Sequence, residues 1–202
     1  MVDFNLVPRS ALAPYLKAGI HGPTVGVPGT KLRELKDFAF VSLTAFKGQN
    51  IALSNLVSSK FGIELPKSSK AISNNGVTFI GTAPNQWLVF AEQNIAREFV
   101  AALEALTGDV SALVDQSDAR AIVELSGNKA RDLLAKGVSV DLHPKAFVVG
   151  DAATTLAVHL WITLWQTDPS PTYRIAVFRA FGSSLLDWLI SAGAEFGCEV
   201  QD

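Results

Sequence analysis

The chain contains few of the residues that build redox and metal sites. Cys198 is the only cysteine among 202 residues, so no disulfide can form within the chain, and such a composition is typical of a reducing compartment. We expect this lone thiol to be inert. His21, His143 and His159 lie at no metal-ligand spacing from one another or from Cys198, so no zinc site is predicted. We expect structural or solvent-exposed roles for the histidines.

Charge of either sign is also scarce. Lysine and arginine total 17 and aspartate and glutamate 19, and charged residues make up 18% of the chain, against roughly 25% in ordinary globular proteins. No basic block is present, which argues against nucleic-acid binding. Hydrophobic residues reach 49%, so the chain either has a well-filled core or buries surplus apolar surface against another subunit. We favour the second interpretation.

The sequence shows neither a long apolar segment nor a targeting signal. Residues 1–5 lack the basic region of a secretory signal. The longest apolar run, residues 152–165, is interrupted by polar residues and is too short to span a bilayer. The sequence therefore predicts a cytoplasmic protein without a membrane segment.

Two parts of the chain repeat one pattern at a spacing of 86 residues. Residues 87–91, followed by Leu103, match residues 173–177, followed by Leu189. In addition, residues 56–66 and 127–144 each lead from an apolar helix through a glycine into an acid-leucine exit and a proline. Such self-similarity indicates one supersecondary unit that is used twice.

Hydrophobic periodicity predicts the same order of elements, β-α-β-β-α, in both halves. We expect helices capped by Ser54, by Asn94 and by Ser183 or Ser184, and a further helix over 128–136. Strands are predicted over 38–46, 77–80, 87–91, 110–114, 121–125, 155–166 and 173–178. The predicted fold class is α+β, with two ferredoxin-like βαββα(β) units packed together.

The predicted organisation has three parts: an extended N-terminal arm (1–36), a first βαββαβ unit (37–117) and a second βαββα unit (118–202). Prolines and glycines repeatedly interrupt the arm. It also carries apolar anchors, among them Phe4, Leu12 and Tyr15, which a solvated tail would not need. The arm therefore packs either on a partner or on its own body, and we favour the partner.

No set of residues has the pattern of an active site. Asp115, Asp118 and Asp141 are possible acids or bases, but their positions in turns favour roles as backbone acceptors. The loop over residues 22–29 lacks the ending of a phosphate-binding loop. The four tryptophans could form a stacking cage, but their spacing favours core or interface anchors: Trp87, Trp161, Trp165 and Trp188. We predict no catalytic, cofactor-binding or metal-ligating residue.

A series of motifs along the chain carries a resemblance. They are Arg9–Leu12, Gly26–Glu34, Asp115–Arg120, Gly127 with Ala130–Gly137, Asp141–Pro144, Phe147, Gly150, Pro171–Val177, Trp188–Leu189 and Ala194–Gly197. In this order and spacing, the chain resembles the gamma-subunit family of heterotetrameric sarcosine oxidases. That family is in turn similar to the folate-binding aminomethyltransferase of glycine cleavage, which implies an aminomethyltransferase folate-binding-like fold.

The resemblance implies a non-catalytic subunit with alpha, beta and delta partners. The complex would demethylate sarcosine oxidatively to glycine, pass the one-carbon unit to tetrahydrofolate and form hydrogen peroxide. FAD, FMN, NAD, tetrahydrofolate and zinc are implied for the other subunits and none for this chain.

Two alternatives remain open. The first is a free-standing one-carbon transferase with folate in the groove between the halves. Asp151 is its nearest candidate for the catalytic aspartate, but the surrounding Gly150–Thr155 has neither a second acid nor a glycine pair, so we do not expect that role. The second is a tRNA-modification scaffold, which the missing basic patch disfavours.

Overall fold

The computed structural model describes residues 9–23 and 26–202, except for the side chains of residues 93, 94 and 97. Phe4 and part of the 22–29 loop therefore lie outside the described residues. Within the described ranges the strands are β1 (Gly19–His21), β2 (Thr30–Leu35), β3 (Ala39–Ala45), β4 (Ala71–Asn74), β5 (Val77–Ala83), β6 (Gln86–Ala91), β7 (Ser111–Asp115), β8 (Arg120–Ser126), β9 (Ala152–Ala157), β10 (Leu160–Asp168), β11 (Thr172–Phe178) and β12 (Cys198–Gln201). The α-helices are α1 (Asn50–Phe61), α2 (Gln93–Thr107), α3 (Ala130–Ala135) and α4 (Gly182–Gly193).

The first half forms a five-stranded antiparallel sheet in the order β4-β5-β6-β3-β7. Helices α1 and α2 cover one face, where Leu53, Val57 and Leu103 are fully buried. The predicted cap at Ser54 is wrong, because α1 begins four residues earlier, at Asn50. Packing sets this start: Leu53 and Val57 are one turn apart and together form the buried face.

The second half forms a seven-stranded sheet in the order β1-β12-β2-β8-β11-β10-β9. Strands β12 and β2 run parallel, and every other pair is antiparallel. Strand β2, which lies within the predicted arm, is inserted between β12 and β8. The alternation of buried Thr30, Leu32 and Glu34 with the more exposed Lys31 and Arg33 suits such a strand. The end of the arm is thus an internal part of the sheet.

The single strand predicted over 155–166 is a β-hairpin, β9 and β10, joined by Val158 and His159. Val158 adopts a left-handed φ of 57°, a conformation that a β-branched residue rarely takes. Hairpin turns of this kind normally carry glycine or asparagine. Val158 and His159 are neither, so nothing in the sequence marked the turn. The predicted caps at Ser183 and Ser184 are also wrong, because α4 already begins at Gly182.

The two sheets pack face to face, which gives four layers in the order helices, sheet, sheet, helices. The central interface contains Phe40, Ile80, Leu88 and Phe90 from the first sheet and Ile122, Trp165 and Ala176 from the second. The rings of Phe90 and Trp165 meet with centroids 6.0 Å apart. Helices α3 and α4 cover the outer face of the seven-stranded sheet. None of the helices among the described residues is both long and apolar enough to cross a membrane.

Candidate functional site

A cleft of about 320 Å³ lies between the two sheets. Its walls are formed by residues of strands from both halves. The lining residues are Ser42, Thr44, Thr82, Gln86, Trp87 and Leu88 of the first half and Arg120, Thr154, Trp161, Ile162, Thr163 and Phe178 of the second. Eleven of these twelve residues are uncharged polar, aromatic or aliphatic, so the cleft has very little charge.

Arg120 is the one ionisable residue in that lining. It starts β8 directly opposite Phe178 of β11, and its guanidinium lies 3.9 Å from the centroid of the Phe178 ring. The Oε1 of Gln116 accepts hydrogen bonds from Nε at 3.0 Å and Nη2 at 2.7 Å. Burial lowers the pKa of the Arg120 guanidinium, although it remains a cation at any physiological pH.

Two aromatic rings of the cleft are exposed to an unusual degree. Trp161 is 62% exposed and Phe178 is 45% exposed. Ile162 follows Trp161 on β10 and pairs with Val177, which precedes Phe178 on β11. Because Phe178 in turn pairs with Arg120 of β8, the three side chains form a row across three neighbouring strands. Large, isolated aromatic surfaces of this kind are typical anchors of protein interfaces.

Trp87 also lines the cleft, but the four tryptophans do not form a cage. The Nε1 of Trp87 donates to the carbonyl of Pro66 at 2.9 Å, and its ring belongs to the core of the first half. Trp165 is buried between the sheets, and Trp188 packs at the margin of the second core.

Asp151 lies at the joint between the two sheets and outside the cleft lining. It forms an ion pair with Lys70, and its Oδ2 accepts the backbone N–H of Val148 at 2.9 Å. Desolvation acts to raise the pKa of Asp151, but the hydrogen bonds from Lys70 and Val148 and the charge of Lys70 outweigh it, so the pKa is lowered. These contacts hold the carboxylate between Lys70 and the backbone of Val148.

The remaining candidate aspartates occupy turns. Asp115 Oδ1 accepts the N–H and the hydroxyl of Ser117, at 2.9 and 2.6 Å, and Asp141 Oδ1 accepts the N–H of His143 at 2.9 Å. Asp118 is exposed in a 3₁₀ turn. The structure does not bring these three carboxylates to the cleft.

The histidines and the cysteine are also dispersed. His21 Nε2 lies 2.8 Å from the carbonyl of Lys17, His143 Nδ1 accepts from the N–H of Lys145, and His159 lies in the exposed β9–β10 turn. Burial raises the pKa of Cys198, and a hydrogen bond with Thr30 opposes that effect. Among the described residues, no three His, Cys, Asp or Glu side chains form a group that could hold a metal ion.

The 22–29 loop has a packing role at both of its described ends. A side chain at Gly22 would collide with the carbonyl of Ala194, and the N–H of Gly29 donates to the carbonyl of Phe196 at 2.8 Å. The sequence pattern missed the cleft, since Arg120 and Phe178 stand at opposite ends of two strands. Only the register of β8 against β11 places them together.

Comparison with known proteins gives a consistent result over nearly the whole chain. The family described as "Sarcosine oxidase, gamma subunit family" matches residues 47–195. The sarcosine oxidase subunit gamma of Corynebacterium sp. (strain P-1) is 31% identical over 98% of this chain and 96% of that protein.

Two solved structures share the fold. A chain of the heterotetrameric sarcosine oxidase from Corynebacterium sp. U-96, solved with pyrrole 2-carboxylate, matches with a TM-score of 0.79 and 27% identity, over 94% of this chain and 96% of that one. Aminomethyltransferase T of the glycine cleavage system from Bartonella henselae matches with a TM-score of 0.67 and 13% identity, over 86% of this chain and 48% of that one; this second likeness concerns the fold alone. From the family match and the full-length identity, the chain belongs to the sarcosine oxidase gamma subunit family.

Proposed function

We propose that this chain is the non-catalytic gamma subunit of a heterotetrameric sarcosine oxidase. The observation that carries the proposal is the match over 94% of the chain to a subunit of such a complex, with a TM-score of 0.79. The complex would oxidise sarcosine to glycine, pass the one-carbon unit to tetrahydrofolate and form hydrogen peroxide. Its other members would be alpha, beta and delta subunits. We place the complex in the cytoplasm, where a single unpaired cysteine stays reduced.

The side chains of this chain support a structural role. Asp151, Asp115 and Asp141 are each held by hydrogen bonds that stabilise turns or the joint between sheets. A general acid or base must reach the substrate, and the cleft is lined by no carboxylate and no histidine. Substrate oxidation is therefore assigned to other subunits, together with FAD, FMN, NAD and zinc.

The cleft residues do not fit folate-dependent one-carbon transfer by this chain alone. The cleft offers aromatic surface and the Arg120 cation, but the candidate catalytic aspartate, Asp151, lies outside its lining and is paired with Lys70 at the sheet joint. The free-standing transferase therefore rests on the fold likeness alone. We assign tetrahydrofolate to another subunit of the complex.

We also interpret each half as a ferredoxin-like unit, over about 37–117 and 118–202. A ferredoxin-like unit has the element order strand-helix-strand-strand-helix-strand, and its four strands lie in the sheet in the order fourth, first, third, second. The order β7-β3-β6-β5 of the first half supports this interpretation, with β4 added at the edge. The order β12-β8-β11-β10 supports it for the second half, with β2 inserted and β9 and β1 added. The N-terminal arm would then complete the second unit.

Affinity purification of a tagged chain from its native source tests the proposal. We expect three further subunits to co-purify, and we expect the preparation to produce hydrogen peroxide when sarcosine is added. The isolated chain, titrated with tetrahydrofolate, should show no binding at micromolar concentration. Purification of the chain without partners, or micromolar folate binding by the isolated chain, would contradict the assignment.

A further inference from the structure

We propose that the cleft between the sheets is a docking surface for an acidic segment of a partner subunit. The segment would insert an apolar side chain beside Trp161 and Phe178 and place a carboxylate on Arg120. This inference rests on the proposed function, because it requires that the chain works within a complex.

The charge of the cleft defines the chemistry of the occupant. Arg120 is half-buried, and among residues 9–23 and 26–202 no carboxylate lies within ion-pair distance of its side chain. Among the described residues, its hydrogen-bond partner is the neutral amide of Gln116. A desolvated cation without a counter-ion is unfavourable, and the sole charge in the cleft is therefore complementary to an incoming carboxylate.

The apolar surface defines the second contact. Trp161 and Phe178 are adjacent across β10 and β11 and expose 62% and 45% of their surfaces. The facing wall from the first half supplies Thr44, Thr82 and Gln86, which can donate to or accept from a peptide backbone. An aromatic patch next to a guanidinium and a polar wall has the composition of an interface hot spot with its rim.

The openness of this region favours a protein segment over a small molecule. Small-molecule sites bury most of the ligand surface, whereas the Trp161 ring is largely uncovered. Strand β7 is an edge strand of the five-stranded sheet, and among the described residues it pairs only with β3. Its Val114, opposite Ser42 of the cleft, is 57% exposed. An extended segment could thus continue from the cleft along an unpaired sheet edge.

The test uses the complex reconstituted from the full chain and its co-purified partners. The variants are Trp161→Ser and Arg120→Glu, and the matched controls are Ile51→Ser, an exposed apolar residue on α1, and Lys67→Met, an exposed cation outside the cleft. We expect each cleft variant to weaken the Kd for the partners at least tenfold, and each control to change it less than twofold. Circular dichroism of each isolated variant verifies folding.

Four outcomes would overturn the inference. Unchanged partner affinity in both cleft variants would refute it while leaving the subunit assignment intact, whereas failure of the unaltered chain to bind any partner would refute both. A change in the oligomeric state of the isolated chain on Trp161→Ser would assign the cleft to a second copy. Micromolar binding of phenylacetate, followed by Trp161 fluorescence, would assign it to a small aromatic carboxylate.

A fifth variant addresses the chain's own N-terminus, which carries Asp3 and Phe4. Deletion of residues 1–8 should leave partner affinity within twofold of the unaltered chain. Tighter partner binding after the deletion would show that this segment competes for the cleft, and would overturn its assignment to a partner alone.

Discussion

Leu103 and Leu189 lie 86 residues apart and occupy the same place in the two halves of the molecule. Leu103 is on α2 and Leu189 is on α4, and each is completely buried against the sheet of its own half. Strands β6 and β11 are equivalent in the same way. Trp87 of β6 pairs with Leu43 of β3, and Tyr173, 86 residues after Trp87, pairs with Leu125 of β8. The internal repeat in the sequence is therefore a repeat of packing positions.

Truncation of either leucine should destabilise the chain to a similar extent. We expect Leu103→Ala and Leu189→Ala each to lower the free energy of unfolding by about 2–5 kcal/mol, because each leaves a cavity in a closed core. Urea denaturation followed by circular dichroism measures the change. Ile51→Ala, at a 70% exposed position of α1, is the control and should cost less than about 0.5 kcal/mol. A small effect at only one of the leucines would contradict their equivalence.

The contact between Leu12 and Gly182 anchors the arm to its own body. A Cβ atom built on Gly182 would lie 2.8 Å from Leu12 Cδ2, and the backbone of Gly182 is already helical. Gly182→Ala should therefore destabilise the chain by about 1–3 kcal/mol through overpacking alone. In a Leu12→Ala background the same substitution should cost at least about 1 kcal/mol less. Additive effects in this double-mutant cycle, measured by denaturation, would contradict the contact.

Deletion of residues 1–16 should lower the melting temperature of the isolated chain by several degrees. Leu12 is fully buried in the second core, and its N–H donates to Glu34 Oε1 at 3.0 Å. Ser10 donates to the same carboxylate. The deletion removes buried apolar area and leaves Glu34 without these donors. Differential scanning calorimetry measures the shift, and deletion of residues 1–8 alone is the control. An unchanged melting temperature would favour the partner as the surface on which the arm packs.

The pair of Asp151 and Lys70 should make stability depend on pH. The pKa of Asp151 is lowered in the folded state, so its contribution is fully present above the unfolded value near pH 4 and is lost as the pH falls through the lower folded value. Asp151→Asn should cost about 1 kcal/mol at pH 7, since Lys70 is half-exposed and the pair is partly screened. The difference from the unaltered chain should shrink as the pH falls below about 4.

Denaturation at pH 7 and pH 3 gives the two values for Asp151→Asn. Asp187→Asn, at an exposed position of α4, is the matched control. A deficit for Asp151→Asn that stays equal at both pH values would show that the charge of the carboxylate is not involved.

Tyr173→Phe should leave stability unchanged or raise it by up to about 1 kcal/mol. The Tyr173 hydroxyl is buried, and no hydrogen-bond partner for it lies among the described residues. Burial raises the pKa of this phenol, and the nearby Arg131 opposes the rise. Removal of an unpaired buried hydroxyl relieves its desolvation cost. Chemical denaturation measures the change, with Tyr15→Phe at an exposed position as the control. A loss above about 1 kcal/mol would indicate a partner for the hydroxyl.

The sequence by itself determined the elements that rest on local periodicity. The helical spacing of Phe99 and Leu103 and the stop at Gly108 predicted α2. The short apolar run of Ala121–Leu125, with β-branched Ile122 and Val123, predicted β8. The duplication was also readable, because burial at equivalent positions leaves the same apolar pattern in both halves. The family resemblance was readable for the same reason, since its motifs lie in one continuous order along the chain.

Tertiary structure decided what depends on pairing between distant segments. Strand β2 has few apolar residues, and only the gap between β8 and β12, about 90 and 170 residues further along the chain, gives Thr30–Leu35 its partners. The turn at Val158 carries no local signal, because the β9–β10 ladder holds it in a conformation that valine alone would avoid. The cleft arises from register as well: Arg120 meets Phe178 only because β8 pairs with β11. Side-chain periodicity is a local property, whereas register and sheet packing are set by long-range contacts.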